Sequence, residues 1–432
     1  MRSFASIFSI YFNQRFPSIM LKKAPLFGWL VGIMLAGLIT SSAVAQRQLV
    51  QVTGIPPLRE GAHAGGDFDG DGDEDVMVTG RHADGTIHTV LYRFLRRRVV
   101  QVTPLAKPTV FADYQQVPFL KTSVFKGSVT WYDVDRDNRL DLIVTGLAVS
   151  GFTPNNTEIQ VPNTSIYLNR GSDAFSISPN HGLPAIYDSQ VAAADFNNDG
   201  IVDIVMGGRS SNGLVLGVWM GRGNQRYEPS SNAFEGLQVS SISVADVDRD
   251  GDADFMVSGI NEKGQPRMQL YVNNGQGLFS PSTQNLPNLY FGATAFGDID
   301  YDGDLDLLIN GGQLGPAIMR GQTFLFQNNG SGGFTQVPTA LPGLYGGGVS
   351  LKDLDRDGDA DLFSWGIESL DRLGSEKVLV AENIDRYLLQ IGSAQMVLNG
   401  AVAVFDYDGN GRKDVFLSGD LAGDRSMFIY EF

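Results

Sequence analysis

The sequence predicts an all-β fold: a seven-bladed β-propeller of four-stranded blades, closed by the N-terminal strand completing the last blade. Three observations lead there. A nine-residue acidic motif recurs seven times, opening at Asp67, Asp133, Asp195, Asp246, Asp298, Asp353 and Asp406. Successive openings lie 51 to 66 residues apart, a period suited to radially arranged β units. Beyond residue 45, short apolar runs punctuated by glycine recur and 3.6-residue periodicity does not.

Residues 1–45 read as an export signal. Lys22 and Lys23 form a basic flank, Leu26 to Thr40 an apolar stretch, and Ala43-Val44-Ala45 a small-residue cleavage site. Met20 is an alternative start. The apolar run is short for a membrane span, and no later run is apolar enough. Residues 46–432 are expected to form a single propeller that is secreted, periplasmic or cell-surface. No anchor is expected after the seventh repeat, nor membrane insertion once the signal is cleaved. The chain has no cysteine, so metal is the available staple.

Each period then carries four strand signals. A small-residue run enters the motif (SVTWYD, QVAAAD, ATAFGD, AVAVFD) and suits crowding near an axis. An apolar run leaves it (DVMVTG, DLIVTG, DFMVSG, DLLING). A third run carries an aromatic and ends in turn residues (SIYLNRG, QLYVNNG, FLFQNNG). A fourth follows (AFSIS, LFSPS, GFTQV, YLLQI). The last repeat ends with the third run, Ser426 to Phe432. Gln48–Val52, QLVQV, resembles the fourth-strand pieces Arg98–Val102 and Gly333–Val337. It is therefore expected to pair with the C-terminal strand and remove an open seam.

The motif itself is a cage of oxygen donors. Its candidate ligands come from positions one, three, five and nine, with a backbone carbonyl from position seven. In order they are Asp67, Asp69, Asp71, Asp73 and Asp75; Asp133, Asp135, Asp137, Arg139 and Asp141; Asp195, Asn197, Asp199, Ile201 and Asp203; Asp246, Asp248, Asp250, Asp252 and Asp254; Asp298, Asp300, Asp302, Asp304 and Asp306; Asp353, Asp355, Asp357, Asp359 and Asp361; Asp406, Asp408, Asn410, Arg412 and Asp414. Two carboxylates ~5 Å apart repel by roughly 3 kcal/mol at an effective dielectric near 20, so a filled cage is favoured over an empty one. All-oxygen ligands in a loose loop select Ca²⁺, up to seven ions. An EF-hand is excluded: its twelfth-position Glu is replaced by Val78, Val144, Met206, Val257, Ile309, Ser364 and Leu417. Asn197 and Asn410 replace charged donors, so their cages are expected to bind more weakly.

These repeats resemble FG-GAP/VCBS repeats, the units of the seven-bladed propeller of integrin α-subunits, over residues 47–432. The resemblance implies a calcium loop between each blade's first and second strands. The flanking Phe-Gly and Gly-Ala-Pro signatures are mostly missing, with Phe291-Gly292-Ala293 closest. The likeness is therefore to the metal-loop end of the repeat and implies no integrin role.

Formal charge is −16, and residues 1–45 hold four basic and no acidic side chains. What remains repels nucleic acid and anionic lipid. No H-E-x-x-H, G-x-S-x-G or P-loop pattern occurs; His63, His82, His88 and His181 are scattered, and no enzyme is expected. Long connections at Thr103–Ser123, Leu147–Asn163 and Ile367–Lys377 build up the face opposite the cages, where Phe111, Tyr114, Phe152 and Arg81 are candidate binding residues. The expected role is a monomeric interaction module for an extracellular protein or glycan. A lectin or a polysaccharide lyase-like enzyme are the alternatives.

Overall fold

The computed structural model describes residues 49–56, 58–100, 109–117, 122–315, 318–354, 356–369, 376–384, 387–395, 398–421 and 424–431. The expected export signal lies outside them. Among the described residues there are strands, turns and loops but no helix. The fold is an all-β propeller of six sheets in a ring.

The sheet of Leu237–Ala245, Asp254–Asn261, Pro266–Asn273 and Phe279–Pro281 shows how the sequence builds each one. Its first strand is rich in Ser, Val and Ala and stands nearest the axis, where bulk would collide. Its second strand opens DFMVSG and is buried at all six positions, because it is covered on both faces. Its fourth strand is only three residues long, which leaves little edge for unwanted pairing. Three further sheets repeat this order, starting at Tyr187, Tyr290 and Tyr345. A five-stranded sheet has its first strand broken into Val124–Phe125 and Val129–Tyr132. Apolar side chains of successive sheets interlock: Phe196, Val205 and Val218 pack with Val239, Phe255 and Val257 of the next. Each such buried side chain contributes about 1.5–3 kcal/mol.

The sixth sheet has eight strands and contains both the first and the last described strand. Leu49–Thr53 pairs antiparallel with Asp424–Tyr430, setting Val50 opposite Ile429. Leu49–Thr53 thus pairs with the C-terminal strand, as its sequence suggests. The same strand also pairs in parallel with Thr109–Val117, Val50 opposite Val110, which the sequence did not announce. Val50, Val110, Ala112, Tyr114 and Ile429 share one core cluster there.

Three expectations are corrected. Arg98–Val100 is not a fourth strand but the end of a 14-residue third strand, Ile87–Val100. The expected loop Thr103–Ser123 contains the true fourth strand, Thr109–Val117, in which Val110, Ala112 and Tyr114 alternate inward. The expected loop Leu147–Asn163 is mostly hairpin: Asp141–Phe152 and Glu158–Asn169 run twelve residues each, joined across Thr153–Thr157. The third long connection lies outside the described residues at 370–375.

Candidate metal centres

Every acidic motif joins a first strand to a second, so all of them stand on one face. Their shared turn is written in hydrogen bonds. In all seven, the sixth residue's amide donates to the first Asp, from Gly72 to Asp67 at 3.0 Å through Gly251 to Asp246 at 3.0 Å. In all seven, the seventh residue's amide donates to the fifth residue's side chain. The sixth residue is left-handed, with Gly251 at φ 91° and Asn138 at φ 64°. Glycine and asparagine are the residues that tolerate this.

These turns gather carboxylates. Donor oxygens of Asp67, Asp69 and Asp71 all lie within 4.8 Å of one another, as do those of Asp246, Asp248 and Asp250, and of Asp298, Asp300 and Asp302. At Asp133–Asp135–Asp141 and Asp406–Asp408–Asp414 the ninth residue completes the trio. These five clusters could hold metal ions. The third motif offers Asp195, Asn197 and Asp199, with Asn197 donating to Asp199 at 3.0 Å. In the sixth, Asp355 lies outside the described residues. The chemistry fits a cation. Asp135, Asp248, Asp298 and Asp406 each bury an Oδ1 that no hydrogen bond satisfies, and a buried carboxylate oxygen can only accept.

The ninth Asp has a second task that the repeat pattern does not reveal. Asp254 is fully buried. One of its oxygens accepts from the Val247 amide at 3.0 Å and the other from the Asn273 amide at 2.8 Å. It therefore pins the turn to the third strand. Asp75, Asp141, Asp203, Asp306 and Asp361 repeat the arrangement.

Two further devices were missed from sequence. The Asn ending a third strand reaches back to the neighbouring sheet's turn: Asn169 Nδ2 to the Phe68 carbonyl, Asn273 to Phe196, Asn328 to Val247, each at 2.8 Å, and Asn383 to Ile299 at 2.9 Å. The signal was an Asn at one register position, just before the pairs Asn274-Gly275 and Asn329-Gly330 that read as turns. The fourth motif residue reaches forward. Asn198 donates to Asp252 at 2.6 Å, Arg249 to the Asp302 carbonyl at 3.3 Å, Tyr301 to Asp359, and Arg356 to the Gly411 carbonyl at 2.5 Å. The Arg136 guanidinium lies against Gly200. Arg136, Arg249, Tyr301 and Arg356 are all left-handed, at φ 60–69°. That conformation is costly for such residues, and it aims their side chains at the next turn.

Burial, reinforced by neighbouring carboxylates and opposed by the amides they accept, raises the ninth-position acids: Asp75 to about 8, Asp254 to about 7, Asp141, Asp203 and Asp306 to about 6. Without a cation the folded state keeps protons that the unfolded chain releases near 3.8. It then binds more protons than the unfolded state, so stability falls as pH rises from about 4 to 8. A cation displaces those protons. In EDTA the melting temperature is expected to be lower at pH 8 than at pH 5.5, and in millimolar calcium that fall should vanish. An EDTA melt that rises across the interval would contradict this.

The opposite face sorts the binding candidates. Tyr114 is buried in the core and Phe111 lies 4.5 Å beneath the Arg98 guanidinium; both pack rather than present. Arg81 is held by Glu158 in two 2.8 Å bonds and stacks 4.3 Å over Phe125. Phe152 remains 60% exposed. His82 and His88 stack edge to face at 5.9 Å, and His63 is buried near the axis against Phe416.

Comparison with known proteins agrees on the repeat. Residues 152–206 and 195–257 match a family model described as FG-GAP-like repeat. No curated protein sequence matches the chain. Among solved structures, AofleA from Arthrobotrys oligospora is similar at 11% identity, covering 81% of this chain and 90% of that one, with a TM-score of 0.39. An Aleuria aurantia lectin mutant in complex with alpha-methyl-L-fucoside follows at 10% identity, 78% and 96% coverage and a TM-score of 0.39. The Bombyx mori GH32 beta-fructofuranosidase is similar at 11% identity, 93% and 95% coverage and a TM-score of 0.34. With its acidic turns, its ring of sheets and the matched repeats, this chain carries FG-GAP-like repeats in a β-propeller fold.

Proposed function

We propose that the protein is an exported, calcium-binding seven-bladed propeller that serves as an interaction module, holding a protein or glycan partner on the face opposite its acidic turns. The seven-blade reading divides the eight-stranded sheet into two four-stranded blades, with Leu49–Thr53 as the outer strand of the last. Calcium is the cation that best suits acceptor-only oxygen cages on flexible turns. A monomer without catalytic function fits a chain whose acidic groups serve turns and strand pins.

One observation carries the binding reading. The hairpin of Asp141–Phe152 and Glu158–Asn169 exceeds the eight-residue second strands of other sheets. It leaves Phe152, Ile159 and Val161 exposed at 60%, 43% and 39%. Arg81 braces it near the turn through Glu158, the residue paired with Phe152. Exposed apolar side chains on a rigid support favour a protein partner. The test is capture from the source organism's extracellular fraction by immobilised mature protein. A protein retained in calcium by the native chain and lost by Phe152→Ser supports the reading. Retention by both, or by neither, defeats it.

A further inference from the structure

The propeller axis holds a second feature on the face opposite the acidic turns. A cavity of about 340 Å³ is lined by residues from all seven first strands, together with Trp365 of a second strand. Its volume lies in the range of small-molecule clefts.

Its walls are polar but uncharged. Ser128, Gln190, Ser240 and Ser241 contribute hydroxyl and amide groups, and Gly and Ala expose backbone between them. Ser240 bonds to Ser258 at 2.7 Å and Ser241 lies 3.4 Å from Thr294, so these two are held in place. The Gln190 amide and the Ser128 hydroxyl take no hydrogen bond from any described residue. No Lys, Arg, Asp or Glu lines the cavity. The one titratable group, His63, is kept neutral at physiological pH because burial drives its pKa down to about 4.

One wall is aromatic, and the sequence makes room for it. Trp365 pairs with Gly348 across the sheet. A Cβ on Gly348 would sit 2.2 Å from the indole, while one on Gly347 would first meet the Trp365 backbone carbonyl at 2.1 Å. Gly348 therefore lets the indole lie across the first strand at the axis. The residues at the matching second-strand positions are small or polar: Gly207, Ser258, Asn310 and Ser418.

We infer that this axial cup binds the terminal unit of a neutral saccharide. The absence of fixed charge in the lining disfavours anions and cations, since a buried ion needs a partner. The hydroxyl and amide groups disfavour a wholly apolar ligand for the same reason. A sugar presents an apolar C–H face to an aromatic plane and hydroxyls to spare donors and acceptors. The cup is separate from the exposed hairpin, so either site can fail without the other.

The experiment uses the mature chain in millimolar calcium on an array of neutral, sialylated and sulfated glycans, followed by calorimetry with the strongest neutral hit. Trp365→Ala is expected to lose at least about tenfold in affinity, while Trp365→Phe stays within about threefold. Gln190→Ala, which removes no internal bond, is expected to lose about three- to tenfold with an unchanged melting temperature. Phe152→Ser should bind as the native chain does. Retention of charged glycans alone, no glycan bound, or a neutral hit indifferent to both Trp365→Ala and Gln190→Ala would each overturn the assignment.

Discussion

Stripping calcium from the mature protein is expected to lower its melting temperature on the order of 15 °C. Each cage whose ion is present at a hundredfold excess over Kd adds roughly 2.7 kcal/mol. The five acidic clusters together then supply on the order of 13 kcal/mol. Spread over the unfolding entropy of a chain this long, that free energy gives the stated shift. No disulfide is available to compensate, since the chain has no cysteine. The check is calorimetry with EDTA and with excess calcium at pH 7.5. Superimposable melts would mean that the turns need no ion.

Asp254→Ala should be far more damaging than Asp250→Asn, although both remove a carboxylate from the same motif. Asp254 is buried and accepts the Val247 and Asn273 amides. Its loss strands two buried donors at about 1–3 kcal/mol each, in EDTA as well as in calcium. Asp250 is exposed. Its conversion to Asn leaves a side-chain oxygen for the Asp252 amide and should change metal-free stability by under about 0.5 kcal/mol while weakening the ion. Denaturant melts of the two variants with and without calcium separate these roles. Equal losses in EDTA would show that the ninth position is only a ligand.

The repeat was legible because its chemistry is local. Nine residues contain the whole turn, so Asp298 to Asp306 can be read as a cage without knowing what surrounds them. The pairing of Leu49–Thr53 with the C-terminal strand was legible because QLVQV matches an outer strand and the last repeat lacks one. The pairs that tie sheets together were not. Asn273 meets the Phe196 carbonyl 77 residues away, and nothing in either segment names the other. The left-handed Arg249 and Tyr301 oppose local preference, and only the neighbouring turn explains them. The hairpin around Thr153–Thr157 was hidden by its Pro and Asn residues, which read as loop. Thr109–Val117 was hidden because its partners include a strand from the far end of the sequence.

The forward reach of the fourth motif residue has a direction. It runs from Arg136 through Asn198, Arg249, Tyr301 and Arg356, always toward the following turn. Gly409 and Gly70 have no side chain to continue it. The belt is therefore buckled rather than endless, and the buckle falls in the sheet that joins the first and last described strands. The ion pair between Lys413 and Glu74 at 2.7 Å is the clasp. Load on the ring passes there instead to the continuous pairing of Leu49–Thr53 with both Asp424–Tyr430 and Thr109–Val117, so the early and late strands hold on to each other where the turns do not.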